Sequence, residues 1–342
     1  MAAIEQGPFR PKRRARRTNG SVWGGVLALI LVWPSLSFAA DDPYWGFSLV
    51  FGGHLPQLSA LDDGLFQSDL VGDATVLIRE GGNATSGDSQ VVDTNKSEII
   101  PFVYRNRIEP VKMGAYGAFE FAWHATPKNA LIFGLGSWEK TSLNVTQGNL
   151  PLQQYFVRNV VDSERRGRIS YTEYTFGWRH DFRTEGKLRL YSRLSLHEVF
   201  DVDYREDYVF RFVSTPIKDL LGVRRDLVVQ AQTASVFMAQ IGGGAEWMLA
   251  DWLSLGVEGG YLIGDRDFQL KDVKYTNDLA DNDQADLTGL PAVALGNGNL
   301  AYLNPSATPE DVRDSATRLN YYNPIRLRFE GFRFALRLTM YF

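Results

Sequence analysis

From Tyr44 onward the chain alternates apolar and polar side chains at every second position in eight separate segments. That period belongs to strands whose two faces meet different surroundings. The segments lie near Tyr44–His54, Met113–His124, Ala130–Thr141, Arg168–Phe182, Leu188–Phe200, Ala231–Met248, Leu253–Gly264 and Leu327–Phe342. Each supplies the roughly 9–11 residues with which a tilted strand crosses a bilayer. The connections alternate in length. His124–Asn129, Arg183–Lys187 and Leu249–Trp252 are tight turns, whereas the stretches near 55–112, 142–167, 201–230 and 265–326 are long, polar and rich in Asp, Asn, Gly and Pro. A compact soluble domain rarely gathers long loops at one end of a sheet. A membrane barrel does so routinely, with an even strand number. The expected fold is all-β, a transmembrane up-and-down antiparallel barrel of eight strands, or of ten to twelve if the long loops add strands.

Composition excludes other classes. The chain has no Cys, which removes disulfide scaffolds, thiolate metal sites and thiol catalysis. Residues 1–39 hold six of the 36 basic residues and one of the 40 acidic ones, so the remainder carries 30 basic against 39 acidic residues, a net −9. An acidic body argues against nucleic acid as a partner. The basic cluster Arg13–Arg17, the apolar run Val22–Trp33, and Ser37 and Ala39 before Ala40 read as a signal peptide over 1–39, cut after Ala39 or Ala40. Residues 40–342 then form a single barrel domain.

The alternation also assigns faces. In the last segment Phe332, Phe334, Leu336, Leu338, Met340 and Phe342 share one face, and Arg333, Ala335, Arg337, Thr339 and Tyr341 the other. An Arg facing hydrocarbon costs about 2–4 kcal/mol at mid-bilayer, so the Arg face is expected to be the lumen. Extended to the other segments, this places Glu120, Glu173, Glu246 and Glu258 in the lumen with Arg179, Arg189, Arg193, Arg333 and Arg337. Charges in so narrow a space must pair and hydrogen-bond. The expectation is an ion-pair network that plugs the barrel, with a charged gate for a small solute as the alternative. The segment Leu131–Trp138 fits either phase. Trp45, Trp123, Trp178, Trp247 and Trp252 fall at the short-turn end and, with Tyr341 and Phe342, are expected to form the periplasmic aromatic girdle. Of the six Trp that follow the signal-like segment, only Trp138 lies elsewhere.

The chain resembles the eight-stranded outer-membrane barrels of the OmpA, OmpX and Ail type. The resemblance rests on the signal-like segment, the eight alternating segments, the Gly-rich Gln240–Glu246 and the terminal Phe332–Phe342. That terminal strand is similar to the signal read by the barrel-assembly machinery, carried here by Phe332, Phe334, Leu336, Leu338, Met340 and Phe342. The resemblance implies a bacterial outer-membrane location, lipid and lipopolysaccharide around the barrel, the assembly machinery as a partner during biogenesis, and loops that contact extracellular ligands. The expectation is a barrel domain only, without the peptidoglycan-binding domain of full-length OmpA-like proteins, and the loops are longer than in the smallest members, which moves the expected function toward them.

No catalytic set is readable. Of the four His, His124 and His180 lie beside the short turns, and His54 and His197 toward the long-loop end. His197 and Glu198 are adjacent on a strand and so point to opposite faces. The stretch Asn277–Asp286 is oxygen-rich but lacks the Gly and terminal Glu of a calcium loop, and reads as solvated loop. The expectation is a protein without cofactor or metal, not an enzyme, with a structural and surface-interaction role and a largely occluded lumen. The runner-up is a narrow channel or carrier for a small or hydrophobic solute. A folded barrel of this kind should migrate differently on a denaturing gel before and after boiling. Identical migration would count against the barrel.

Overall fold

Each alternating segment supplies one strand of a ring, but Ala231–Thr233 of the sixth belongs to a separate strand, Arg224–Thr233, and Leu327 of the eighth to a short strand, Arg326–Leu327. The structure, a computed structural model, describes residues 44–79, 92–152, 157–183, 186–215, 218–233, 235–264, 267–279 and 289–342. The signal-like segment and most of the acidic stretch, residues 280–288, lie outside the described residues. The strands are β1 (Tyr44–Pro56), β2 (Gly114–Thr126), β3 (Asn129–Leu152), β4 (Val157–Arg183), β5 (Leu188–Ser214), β6 (Val236–Ala250), β7 (Leu253–Gly264) and β8 (Gly331–Tyr341). Every strand pairs antiparallel with its neighbours in sequence, and β8 returns to β1 with Val50 opposite Arg337. The result is an eight-stranded up-and-down ring with no free edge within it. In β3, Ile132, Gly136, Trp138 and Lys140 point inward and Phe133 and Leu135 outward, which settles its phase.

Strand length departs from expectation. β3, β4 and β5 run for 24, 27 and 27 residues, or roughly 80–90 Å at about 3.3 Å per residue. Much of 142–167 and 201–230, expected as loop, is therefore strand. The physical reason lies in the side chains. Along β4 the outward residues Tyr174, Phe176 and Trp178 are apolar and the inward Glu173, Arg179 and Asp181 are charged; beyond Tyr171 the inward Ile169 and Val161 are apolar and the outward Glu164, Arg166 and Arg168 charged. β5 inverts likewise, with Leu190, Leu194 and Leu196 outward below, and Val202, Tyr204, Tyr208, Phe210 and Phe212 inward above. At the inversion β5 carries a bulge, where Thr172 faces Phe200 but Ser170 faces Asp203, and Asp201 sits at φ 56°. One extra residue switches the inward positions from odd to even, so the alternation loses its phase in the sequence at the point where its polarity also changes.

The upper part of the ring opens out and is filled by its own connections. Strands Arg224–Thr233 and Lys271–Asn277 extend the sheet beyond β5. A hairpin of Leu70–Arg79 with Val92–Tyr104, and a small sheet of Ala292–Ala294, Leu300–Leu303 and Tyr322–Pro324, lie in the first and last long connections. The helical turns Ala60–Gly64 and Leu65–Gln67 fold inward as a plug, burying Leu58, Leu61, Leu65 and Phe66 against Trp138, Ile169, Tyr204 and Phe329. Arg165 holds this plug. Its guanidinium donates to the carbonyl oxygens of Leu65 at 2.6 Å, Ser68 at 2.9 Å and Asn106 at 3.0 Å, and to Glu206 at 2.7 Å. Lys140 Nζ adds a bond of 2.5 Å to Asp62, whose carboxyl burial pushes up while the ammonium opposes the shift. Removing the guanidinium leaves Glu206 and the carbonyls without it, so Arg165→Met should destabilise the upper part by about 3–5 kcal/mol. Limited proteolysis should then cut the 57–69 segment, and a variant as resistant as the wild type would refute the latch.

Candidate functional site

The densest chemistry lies on the inward face of the eight strands, in three tiers. In the upper tier Glu173 of β4 accepts both Arg333 nitrogens of β8, at 2.7 and 2.9 Å, with Tyr116 Oη at 2.9 Å and His197 Nδ1 at 3.1 Å. Arg333 also donates to Tyr171 Oη at 2.9 Å and lies over the Tyr116 ring at 4.0 Å. In the middle tier Arg193 of β5 bridges Glu120 of β2 at 2.9 Å and Glu258 of β7 at 3.0 Å, and Arg337 reaches the same two carboxylates at 2.7 and 2.8 Å. In the lower tier Arg179 is bidentate to Glu246 at 2.9 and 2.7 Å and also grips Asp181 at 2.6 Å. Four strands or more are thus tied across the barrel by charge-assisted bonds, the strong kind.

Eight of the nine charged residues that alternation places inward meet in these pairs. Arg189 does not. Among the described residues no carboxylate pairs with it, because Glu246, its opposite number across β5 and β6, is taken by Arg179; Arg189 lies instead over the Tyr341 ring at 5.3 Å. The sequence reading missed Asp181. It sits two residues beyond Arg179 on the same face, so the parity that found Arg179 also points to it. Counting Asp181, five carboxylates face five guanidinium groups. Tyrosines join the network: Tyr191, on the inward face that alternation gives it, donates to Glu258 at 3.0 Å and lies under Arg179, 3.9 Å from its ring centre. Glycines make room for these rings. A Cβ on Gly136 would come within 2.8 Å of Tyr116 Oη, and one on Gly244 within 2.6 Å of the Tyr191 ring.

The aromatic positions divide. Trp45, Trp178, Trp247 and Trp252 are exposed and Trp123 half-buried at the short-turn end, with Trp45 and Trp123 6.4 Å apart. Tyr341 turns inward and donates to Glu246 at 2.7 Å, so it joins the charge network and not the outer ring; Phe342 follows β8. Trp138 is buried in the lumen, stacked 5.1 Å from Tyr171. On β8, Phe332, Phe334, Leu336 and Leu338 are exposed along one face, and Met340 is half-buried.

One triplet has catalytic distances. Ser195 Oγ lies 2.9 Å from His197 Nε2, and His197 Nδ1 3.1 Å from Glu173. The carboxylate comes from the neighbouring strand, because Glu198 points outward. The order nucleophile, base, orienter is that of acyl-transfer sites. Ser195 and His197 are, however, 2% and 0% exposed, and Glu173 is committed to Arg333, so this arrangement presents no attacking oxygen to a substrate.

No protein-family model matches the chain, and no curated protein matches it. Among solved structures, the crystal structure of a Pseudomonas aeruginosa FadL homologue aligns at 9% identity over 88% of this chain and 90% of that one, with a TM-score of 0.18. The eight-stranded antiparallel ring is established by its own pairing, and none of these comparisons supports the OmpA, OmpX and Ail type in particular.

Breaking one buried partner costs more than the pair contributes, because a bare charge remains. Arg333→Met should lower unfolding stability by about 3–5 kcal/mol, and Arg333→Met with Glu173→Gln should recover part of the loss. Denaturant titration of the folded protein in detergent reads both. A single variant no less stable than the wild type would sink the role of this pair.

Proposed function

We propose that the chain is a bacterial outer-membrane protein in which a closed barrel carries a folded extracellular head, with a structural and surface-interaction role. The observation that carries this is the inversion of polarity along β4 and β5. An apolar exterior over a charged interior suits strands surrounded by lipid, and a charged exterior over an apolar interior suits the same strands in water. The exterior of the lower part is the lipid and lipopolysaccharide contact, β8 the strand offered to the assembly machinery, and the head the surface for extracellular ligands. Occlusion supports a non-transporting role. An eight-stranded ring leaves little interior, and here the charge tiers fill it below the plug and its apolar core.

Chemistry at Ser195 has no place in this reading, and neither does a cofactor. In planar bilayers the wild-type protein should show no resolved openings above background. Well-resolved wild-type openings would overturn the closed reading in favour of the narrow channel, and their loss or alteration in Arg193→Ala or Glu173→Ala would locate the path in the charge tiers.

A further inference from the structure

Among the described residues, the wall of the barrel is interrupted on either side of the upper end of β6. β5 is paired with β6 as far as Val199 opposite Val236, and from Val202 upward with Arg224–Thr233 instead. On the other side of β6, β7 ends at Gly264 and the sheet resumes only at Lys271, opposite Gln232. Two neighbouring ladders therefore break at the same height, next to a cleft of about 350 Å³. That volume lies at the small end of ligand pockets.

The lining of the cleft is specific in charge. Lys271 and Arg326 are exposed at it, and among the described residues neither has a carboxylate within ion-pair distance. The contrast with nearby surface arginines is direct: Arg328 pairs with Asp267 at 2.9 Å, Arg205 with Asp207 and Arg224 with Asp226. Asp267 also lines the cleft, and it is the carboxylate that Arg328 neutralises. Thr233, Ser235 and Gln269 add hydroxyl and amide donors, and Phe268, buried against Phe329 at 4.9 Å, backs the cleft on its core side. Just below, Phe237 and Ile263 point outward, 53% and 50% exposed, among the last apolar residues of the outer surface before the polarity inverts.

We infer that this cleft binds the phosphomonoester of an amphiphile in the outer leaflet, with its acyl chains lying on Phe237 and Ile263. Two unpaired cations suit a group that carries a charge of about −1.5 to −2 at neutral pH. The Arg326 fork matches phosphate oxygens in bidentate fashion, and Lys271 acts as a point charge beside it. A single carboxylate would bring one negative charge to the two cations. The position at the polarity boundary selects a ligand with a charged head and apolar tails over a soluble one. The inference rests on the membrane placement proposed above and is independent of whether the lumen conducts.

Full-length protein in phosphatidylcholine nanodiscs, with phosphatidic acid as the probe, tests it. Wild-type protein should bind phosphatidic acid, and Lys271→Gln with Arg326→Gln should weaken binding roughly tenfold or more while the heat-dependent gel shift stays unchanged. Arg326→Lys, which keeps the charge and loses the fork, should retain part of the affinity and bind more tightly than Arg326→Gln. Glycerol 3-phosphate, with the same head and no chains, should bind at least about tenfold more weakly. Phosphatidic acid affinity unchanged in the double variant overturns the site. Glycerol 3-phosphate binding as tightly as the lipid overturns the amphiphile and leaves a soluble phosphate as ligand. Oleate matching phosphatidic acid overturns the phosphate. Recovery of the native protein from the aqueous fraction would instead defeat the membrane placement itself, and bilayer conductance bears only on the lumen.

Discussion

Charge inside a closed ring of eight strands must be neutralised where it stands, because there is neither bulk water to solvate it nor space for counterions. Five guanidinium groups and five carboxylates meet on that inward face, and four of the arginines are each shared with at least one carboxylate from another strand. The remainder of the lower barrel follows from that need. Tyrosine hydroxyls from β2 and β5 donate to Glu173 and Glu258, that of Tyr171 on β4 accepts from Arg333, and glycines opposite Tyr116 and Tyr191 supply the space their rings occupy. Buried pairs of this kind are weak evidence for stability. Here they fix register, since sliding one strand by a residue would send an Arg or a Glu to the outer face.

The same strands exchange the polarity of their two faces along their length. Below, the outward face is apolar and the inward face charged; above Tyr171 of β4 and Val199 of β5 the roles exchange, and the interior becomes an ordinary apolar core built with Leu58, Leu61, Leu65 and Phe66 from the plug. The change coincides with the bulge at Asp201, which rotates β5 by one residue and puts Tyr204, Tyr208 and Phe210 into the core. Arg165 belongs to this upper storey. It is the one arginine there that is fully buried among the described residues, and it spends its donors on backbone carbonyls of the first long connection as well as on Glu206. The wall breaks just beyond, between Thr233 and Val236, where the ladder changes partners.

Period-two alternation was enough to locate all eight barrel strands, their antiparallel order and the inward phase of six. Glu120, Arg193 and Arg337 could be assigned to the lumen because an Arg or Glu on an otherwise apolar outer face is too costly. β3 was ambiguous because Leu131–Leu135 is apolar on both faces and Gly134 and Gly136 show no preference; the partners across the ladder, Phe119 and Tyr174, decide it. The upper strands read as loops for a different reason. Their outward residues are the charged ones, and the bulge cancels the phase that would have linked them to the strands below.

Local pattern thus determined which residues face in and which face out, since that depends only on the pleat and on the cost of placing charge in an apolar medium. Pairing was decided by closure of the ring. Whether Glu246 binds Arg179 or its neighbour Arg189, and whether His197 finds Glu173 or Glu198, turns on register between strands and on side-chain reach across the lumen. The plug and its Arg165 latch are non-local in the same sense: the guanidinium and the carbonyls it binds are up to 100 residues apart in the chain, and only the folded wall brings them within hydrogen-bond distance.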